Sequence, residues 1–443
     1  MTAISIIIPS HNRRDLLRSL LDALVAQQPA TPPFEVIIVA DKCRDGTQAM
    51  VAAYDAPFPI SLLEQPGVGP AHARNIGARQ ASADLLLFLD DDVIPTPGLV
   101  AAHAQAHDDG VDRAVLGPYP PEPHISGQHF RILTQRWWNA HFNELAQPGH
   151  RFRYTDLLTG NLSMPRRVWD AVGGLDPQFA RAREDLELGV RLMKAGIPFH
   201  YAPEALGWHH EYLTTSLHGS FRRAKEEGRS DALMALKHPE MAAAIKAARQ
   251  LRRKGRGTRI KYGVLRHSGL LDRPLMAIAP GLLNLMEGIG LIRARRRLRG
   301  ALLEYLYARG AMEGLGPQRA DFMAQPVPGI APPTPGIDID IADGIEAAEL
   351  ALTEHRPESA RILYRGEEIA TLSWTPMTER WSGRHLRPYL ARRAAARLIP
   401  VLLDGSMQAG QPAGQASNSA INMLWINDFS KQLHEAQWQW ARG

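Results

Sequence analysis

Residues 85–92 read Leu85-Leu-Leu-Phe-Leu-Asp-Asp-Asp92, so that five apolar residues run directly into three carboxylates. A short apolar run that ends at polar residues is typical of a buried strand. Three adjacent carboxylates repel one another and destabilise a fold unless cations or hydrogen-bond donors offset them. The pattern therefore predicts a strand that ends at a cation-binding site, with a solvated acidic turn as the alternative.

Similar apolar runs precede this one, and amphipathic segments separate them. The strand-like runs are Ile4–Ile8, Glu35–Val39, Ile60–Leu63 and Leu85–Leu89, and the segments with helical spacing are Arg13–Gln27, Thr47–Tyr54 and Pro70–Ala81. This βαβα order predicts an α/β, Rossmann-like fold with a mostly parallel sheet. Ligands of such sheets bind beyond the carboxyl ends of the strands, which here lead into Pro9–Asn12, Asp41–Thr47 and Asp90–Asp92.

The rest of the 443-residue chain changes in composition along its length. We expect a catalytic domain in residues 1–230, a basic helical region in 231–315, a Pro-rich linker in 316–337 and a small α+β C-terminal module in 338–443. The C-terminal module contains a predicted hairpin, Ala360–Tyr364 with Ile369–Trp374, and a predicted helix near Leu386–Leu403. The role of this module does not follow from the sequence.

A second group of carboxylates, Glu184-Asp185, opens a predicted helix that continues to Lys194. Acidic residues in a first turn are favoured by the helix dipole, and this is the structural explanation. The functional explanation is a general base, which takes the proton from an attacking hydroxyl. His209-His210 is a further candidate, because a neutral imidazole could complete a metal site begun by Asp92, although a structural role is the alternative.

Positive charge is concentrated in the middle of the chain. The net charge is only +5, but fifteen Lys and Arg residues lie between Lys246 and Arg299 against Asp272 and Glu287. The apolar segment Leu275–Ile292 directly precedes Arg293–Arg299. An apolar face beside a polybasic run predicts a helix that lies on an anionic membrane, with a buried helix and a membrane span as alternatives.

Other features exclude some classes of protein and indicate a compartment. The chain has no G-x-x-x-x-G-K-[ST] loop, and Gly67-Val-Gly69 is followed by His72 where a dinucleotide fingerprint needs glycine, so we expect neither an NTPase nor a nicotinamide enzyme. Cys43 is the only cysteine, and Met1–Pro9 is typical of a buried strand rather than a signal peptide. We therefore expect a cytoplasmic protein that binds peripherally to the inner face of the membrane.

In this order, the segments resemble the family 2 glycosyltransferases, which have the GT-A fold. The resemblance extends over about the first 212 residues and rests on Ile6–Asn12, Glu35–Thr47, Gly69–Gly77, Asp90–Asp92 as a D-x-D motif, Leu158–Arg166 with Gly173–Asp176, and Glu184-Asp185. The family usually has two acids in the second segment, where this chain has Ala40 and Asp41. No single motif is specific, but their shared order is.

The resemblance implies an inverting, metal-dependent glycosyltransferase with Mn²⁺ or Mg²⁺ as its cofactor. It moves a sugar from a nucleotide-sugar donor, a UDP- or GDP-sugar, to a hydroxyl of a glycan or glycolipid in single additions, as in the synthesis of cell envelope polysaccharide. By the same resemblance the donor-binding residues are Pro9, His11, Asp41, Arg74, Asp90 and Asp91, the metal ligands are Asp92 and His209 (or His210), and the catalytic residues are Asp185 as base and Glu184, which helps to bind the acceptor.

Two other interpretations stay open. A sugar nucleotidyltransferase has a related sheet, but it usually begins with a Gly-rich loop that contains Lys or Arg, and Pro9-Ser-His-Asn12 is not such a loop. In the non-enzymatic interpretation a degenerate GT-A domain accompanies a region that binds membrane or nucleic acid. Salt-sensitive DNA or RNA binding without sugar transfer would favour it, but we do not expect a nucleic-acid partner.

Overall fold

The computed structural model describes residues 3–122, 129–179, 181–210, 216–251, 269–324 and 336–394. It contains two compact units, Met1–Leu145 with Arg153–Gly329 and Ala146–Phe152 with Ile330–Gly443. The short segment Ala146–Phe152 thus belongs with the C-terminal unit, although the chain on either side of it belongs to the first. The domain boundaries at residues 230, 315 and 337 stay predictions.

The first unit contains a seven-stranded sheet in the order β3-β2-β1-β4-β7-β6-β8. The strands are β1 (Ile4–Ser10), β2 (Phe34–Asp41), β3 (Ile60–Gln65), β4 (Leu85–Leu89), β5 (Val93–Pro95), β6 (Ala114–Leu116), β7 (Asn161–Pro165), β8 (Phe199–Tyr201) and β9 (Gly207–His209), of which β5 and β9 form a separate antiparallel ribbon. The neighbours from β3 to β4 are parallel, whereas β7 is antiparallel to β4 and β6. The predicted α/β class with a mostly parallel sheet is confirmed.

All four strands that the sequence predicts are present. Every residue of β1 is buried, and so are the last six residues of β2. Continuous burial shows that both faces of these strands are covered, as is usual for parallel sheets. β1 continues two residues beyond the predicted end at Ile8, because Pro9 and Ser10 still pair with Val39 and Ala40 of β2.

Helices connect the strands and continue beyond them. Those of the first unit are α1 (Arg14–Val25), α2 (Thr47–Ala52), α3 (Pro70–Gln80), α4 (Leu99–Gln105), α5 (His129–Leu145), α6 (Arg166–Val172), α7 (Glu184–Lys194), α8 (Leu217–Lys237), α9 (Lys246–Leu251), α10 (Gly269–Gly288), α11 (Ile292–Leu315) and α12 (Arg319–Ala324). Helix α3 lies directly on β1, because a Cβ at Gly77 would be only 2.5 Å from Ile7 Cγ2. This close approach fixes the position of Arg74 one turn earlier.

The helices after the sheet form their own apolar cluster. Leu217, Phe221 and Leu306 are buried in it together with Ala279 and Leu283 of α10. The apolar segment that we predicted over 275–292 is thus divided between α10 and the start of α11. No helix among the described residues is long and apolar enough to span a membrane.

The C-terminal unit contains a three-stranded sheet in the order β10-β11-β12. Its elements are β10 (Ile337–Asp340), α13 (Ile345–His355), β11 (Ala360–Tyr364), β12 (Glu367–Leu372) and α14 (Gly383–Tyr389). The predicted hairpin is present as β11 and β12, whereas β10 and α13 are not among the elements that the sequence predicted. Of the predicted helix near Leu386–Leu403, residues beyond 394 lie outside the described part of the chain.

Segment 146–152 packs within this C-terminal unit. The guanidinium of Arg151 lies 4.3 Å from the centre of the Trp381 ring, and the Glu379 amide donates to the Phe152 carbonyl oxygen over 2.7 Å. A Cβ at Gly149 would be 2.7 Å from Pro388 Cγ. The C-terminal unit therefore includes a segment that the chain supplies about 180 residues earlier, which a reading in chain order does not reveal.

Candidate active site

The acidic triplet lies directly after β4. The Asp90 amide donates to the Gly160 carbonyl oxygen over 3.1 Å, which ties the triplet to the segment before β7. A Cβ at Gly160 would lie 2.9 Å from Asp90 Oδ2 and 2.8 Å from Tyr119 Cζ, so only glycine fits there. Asp91 and Asp92 are each only 3% exposed. Asp91 and Asp92 are therefore buried at the edge of the sheet and do not form a solvated turn.

Arg13 neutralises two of these carboxylates, and sequence reasoning missed it. Its Nη1 atom donates to Asp91 Oδ1 over 2.7 Å and to Asp92 Oδ2 over 3.0 Å. Burial raises the pKa of Asp91 to about 6, and the charge of Arg13 opposes this shift. The sequence contained one signal for this contact: a basic residue lies in the loop after β1, and β1 is the neighbour of β4 in the sheet.

The other predicted donor-binding residues lie at the ends of β1 and β2. Pro9 is buried in β1, and the exposed His11 donates through Nδ1 to the Asp41 carbonyl oxygen. The Asp41 carboxylate accepts from the amides of Val68 and Gly69, each over 3.0 Å. Asp41 thus holds the loop that leads into α3, and its role in recognising the nucleobase of the donor stays a prediction.

Arg74 joins the acidic triplet to the second group of carboxylates. It is 3% exposed, it donates through Nη2 to Asp90 Oδ1, and its Nη1 lies 3.7 Å from Glu184 Oε1. Among the described residues, Nε and Nη1 of this guanidinium have no hydrogen-bond partner. A buried cation with free donors is expected to bind an anionic group, because unpaired buried donors are costly.

Glu184 and Asp185 form the first turn of α7. Burial and the neighbouring charge of Asp185 raise the pKa of Glu184 to about 7, and Arg74 opposes this shift. Burial also raises the pKa of Asp185, whereas a hydrogen bond of 2.8 Å from the Leu186 amide opposes it. Raised pKa values are what a buried carboxyl group needs to exchange protons near neutral pH.

The two histidines after β8 point to different carboxylates. His209 pairs with Val93 between β9 and β5, and its Nε2 lies 3.6 Å from Asp92 Oδ1. His210 Nδ1 instead lies 3.4 Å from Glu122 Oε2. The geometry thus brings the side chain of His209 to the acidic triplet, whereas His210 contacts Asp92 through its backbone amide, which donates to the Asp92 carbonyl oxygen over 2.8 Å.

Asp92 and His209 fit a divalent cation only as part of a larger set of ligands. Carboxylate oxygen and imidazole nitrogen suit Mn²⁺, and Mg²⁺ or Mn²⁺ commonly takes its other ligands from water and substrate phosphates. Within the described ranges, no group of three or more His, Cys, Asp or Glu residues could hold a metal ion. The donor set therefore fits a cation that a nucleotide diphosphate helps to bind.

Aromatic rings surround His209. The ring centres of Tyr119 and Trp138 lie 5.5 and 5.2 Å from that of the imidazole. Both rings are buried, whereas Trp137 on the same helix is 54% exposed and stacks on His141. The buried Trp138 thus has a structural role, whereas the exposed Trp137 is available to a ligand.

Residues 5–170 match the family model described as Glycosyl transferase family 2. The chain carries a family 2 glycosyltransferase domain. The resemblance inferred from the motifs is confirmed, and the strand order together with this membership confirms the GT-A fold. The family match includes β1 to β4 and the acidic triplet, but it ends before Glu184-Asp185 and His209.

Two relatives and one solved structure are among the proteins to which this chain is similar. The chain is 32% identical over 232 residues to validoxylamine A glucosyltransferase from Streptomyces hygroscopicus subsp. jinggangensis, which covers 46% of this chain and 54% of that protein. It is 30% identical over 223 residues to the O-antigen biosynthesis protein RfbC of Myxococcus xanthus, covering 47% of this chain and 17% of RfbC. The mannosyltransferase PcManGT from Pyrobaculum calidifontis, solved with GDP-Man and Mn²⁺, has a TM-score of 0.45 at 18% identity, covering 71% of this chain and 87% of that one.

The family 2 region is thus shared, whereas much of each protein is not. The chain spans only about half the length of the first curated relatives that it matches. What those relatives transfer is therefore no direct guide to this protein's substrates.

Proposed function

We propose that this protein transfers a sugar from a nucleotide-sugar donor to a hydroxyl group of an acceptor, with inversion at the anomeric carbon and with Mn²⁺ or Mg²⁺ as cofactor. The observation that carries the proposal is the position of Arg74, which joins Asp90 at the donor end to Glu184 at the acceptor end. One buried cation between two groups of carboxylates suits a reaction in which a diphosphate departs from a sugar and a hydroxyl attacks it.

On the donor side, the residues after β1, β2 and β4 bind the nucleotide. Asp90 accepts from the ribose, while Asp41 and His11 lie where the base binds, at the ends of β2 and β1. The free Nε and Nη1 donors of Arg74 bind the diphosphate and stabilise the charge that develops on it. An acidic residue at the nucleobase, here Asp41, is compatible with both UDP- and GDP-sugar donors.

Asp92 and His209 would hold the cation, and the diphosphate would supply further ligands. When bound, the cation acts as a Lewis acid that neutralises charge on the leaving diphosphate. Arg13 contributes to the neutralisation of this acidic group, since it contacts both Asp91 and Asp92.

On the acceptor side, Asp185 takes the proton from the attacking hydroxyl. A general base works best when its pKa is close to the working pH, and burial moves both carboxylates of the pair in that direction. Glu184 hydrogen-bonds the acceptor and shares the proton with Asp185. The exposed Trp137 offers its face to a sugar ring of the acceptor, which makes a glycan or glycolipid of the cell envelope the best candidate.

We also propose that the protein is cytoplasmic and binds peripherally to an anionic membrane through α10 and the start of α11. Helix α10 and the residue that follows its last turn expose apolar side chains at intervals of four, three and four residues, Ile278, Leu282, Leu285 and Ile289, which are 67%, 44%, 61% and 61% exposed. The opposite face, with Ala279 and Leu283, is buried in the helical cluster. One helix thus has an inner and an outer apolar face.

Basic residues complete this surface. Leu291 and Ile292 are also exposed, and Arg293, Arg296 and Arg297 follow them at the exposed start of α11. Apolar side chains enter the acyl region of a bilayer while adjacent arginines bind anionic headgroups, at ~1 kcal/mol for each basic residue near the surface. This complementarity favours lipid over a protein partner, and it suits a lipid-linked acceptor.

The proposed activity is tested by measuring nucleoside diphosphate release from UDP-, GDP- and dTDP-sugars, with Mn²⁺ or with EDTA. Metal-dependent release from one donor, increased by a glycan or glycolipid acceptor, supports the proposal and identifies the donor. If no donor is cleaved and calorimetry detects no binding of any of them, the domain is degenerate and the proposal is wrong.

A further inference from the structure

We infer that Arg183 is a positioning residue. Helices α8 and α11 hold its side chain, so that the turn into α7 presents Asp185 to the acceptor hydroxyl. The inference rests on the proposed role of Asp185 as the base. It assigns a function to two helices that lie wholly outside the segment matched by the family model.

The backbone at Arg183 is in a conformation that this residue type rarely adopts. Arg183 precedes the first residue of α7 with φ 66° and ψ 7°, in the left-handed region. The Cβ atom of an L-residue is crowded there, so such a conformation persists only when the surroundings hold it. The side chain of Arg183 makes no capping hydrogen bond to the helix, and the restraint must come from elsewhere.

Two acidic residues of α8 supply the restraint. Arg183 Nε donates to Asp231 Oδ1 over 3.1 Å, and Nη2 lies 3.5 Å from Glu227 Oε2. The hydroxyl of Tyr307, on α11, donates to the other oxygen of Asp231. Asp231 and Tyr307 are only 9% and 4% exposed, so water competes little for these contacts.

Glycines allow α8 and α11 to come close enough for this arrangement. A Cβ at Gly228 would lie 1.9 Å from the Tyr307 carbonyl oxygen, and a Cβ at Gly310 would lie 1.7 Å from the Lys225 carbonyl oxygen. The two backbones are therefore in direct contact at this level. Asp231 follows Gly228 by about one helical turn and so faces Tyr307.

The consequence for Asp185 is geometric. The Glu187 amide donates to the Arg183 carbonyl oxygen over 2.9 Å, so the turn at Arg183 begins the hydrogen-bond ladder of α7. Asp185 lies in the first turn of that ladder. A rotation of the backbone at Arg183 would therefore redirect the carboxylate of Asp185 without affecting the donor-binding residues after β1, β2 and β4.

The test compares substitutions at Arg183 that differ only in what the backbone tolerates. Arg183→Ala removes the side-chain contacts but keeps the Cβ that disfavours φ above zero, and it should lower kcat by up to about 10²-fold with an unchanged dissociation constant for the donor nucleotide. Arg183→Gly also removes the contacts, but glycine adopts this conformation freely, and most of the turnover should return.

A second pair of variants tests the contact between the helices. Tyr307→Phe removes the hydrogen bond to Asp231 and should lower kcat about tenfold, the usual scale for one hydrogen bond to a charged group. Tyr305→Phe is the matched control, because Tyr305 lies on the same helix and donates to another buried carboxylate, Asp272, over 3.0 Å. It should have a similar effect on unfolding but none on kcat.

Hydrogen exchange gives a readout that does not depend on sugar transfer. In Arg183→Ala and Tyr307→Phe, the amides of residues 184–187 should exchange faster than in the wild type, and in Tyr305→Phe they should not. The inference is overturned if Arg183→Gly loses as much turnover as Arg183→Ala, or if Tyr307→Phe and Tyr305→Phe behave alike in both measurements. If the wild type transfers no sugar, the exchange data alone still decide whether α8 and α11 hold the turn.

Discussion

Arg74 and Glu184 face each other with 3.7 Å between Nη1 and Oε1, and the same guanidinium donates to Asp90. The contact connects α3, which follows the loop that we propose binds the donor, to the first turn of α7. A change of charge at Asp90 therefore affects Glu184, because few polar groups or waters screen a buried guanidinium. Both carboxylate groups must consequently be treated as parts of one site, and four predictions follow from its geometry and from the exposed face of α10.

Asp185→Asn is expected to retain donor binding and to lose most of its turnover. The amide cannot accept the acceptor's proton, and a positioned base contributes ~10²–10⁴-fold to the rate. Steady-state transfer rates and donor binding by calorimetry measure the two effects separately. Asp170→Asn, on an exposed carboxylate of α6, is the control. Near-normal transfer by Asp185→Asn would remove Asp185 from the role of base.

His209→Ala and Asp92→Ala are expected to weaken Mn²⁺-dependent donor binding, whereas His210→Ala is not. The reason is that His209 approaches Asp92, while His210 approaches Glu122. Calorimetric titration with nucleoside diphosphate, with Mn²⁺ or EDTA, should show at least about tenfold weaker binding, the scale that follows even from losing an outer-shell partner of a metal site. Equal effects of the two histidine variants would contradict the assignment.

Glu184→Gln is expected to shift the acid limb of the pH–rate profile to lower pH. The carboxylate pair loses its basic form as the pH falls through raised pKa values, and Glu184 contributes a pKa of about 7. With glutamine at position 184 only Asp185 titrates, so the active form survives to lower pH. Profiles of kcat/KM from about pH 5 to about pH 9 report the free enzyme and check this. An unchanged limb would show that other groups control it.

The double variant Leu285→Asp with Ile289→Asp is expected to lose binding to anionic vesicles. Each buried Leu or Ile side chain contributes roughly 1.5–3 kcal/mol, so binding should fall by more than tenfold. Cosedimentation with phosphatidylglycerol vesicles, compared with phosphatidylcholine vesicles and at rising salt, measures it. Leu350→Asp, at an equally exposed apolar position of the C-terminal unit, is the matched control. Absence of wild-type binding at low salt would refute the membrane proposal.

Much of the first unit could be predicted from the sequence, because its signals are local. Apolar runs such as Leu85–Leu89 define strands by their own composition, and amphipathic spacing defines α1 and α3. The residues after the strands could also be assigned to one edge, since parallel strands have their carboxyl ends together. Limits of strands were less accurate, because pairing with a neighbour extends β1 to Ser10.

The partners of those residues could not be predicted in the same way. Arg13 contacts Asp91 and Asp92 only because β1 and β4 are adjacent, and Arg183 is held by residues of two later helices. Which of two adjacent side chains of the same type approaches a partner, such as His209 rather than His210 with Asp92, depends on the pairing of β9 with β5. None of these contacts can be predicted from the composition of the neighbouring sequence.

Residue types and their order along the chain therefore established the class of fold, the carboxylates and the family resemblance, because these depend on short apolar patterns and on the side-chain chemistry itself. Folding determined which cation neutralises which carboxylate, which histidine reaches Asp92, and that residues 146–152 belong to the C-terminal unit. These outcomes depend on contacts between residues far apart in the chain, whose geometry exists only once the sheet and the helices have packed.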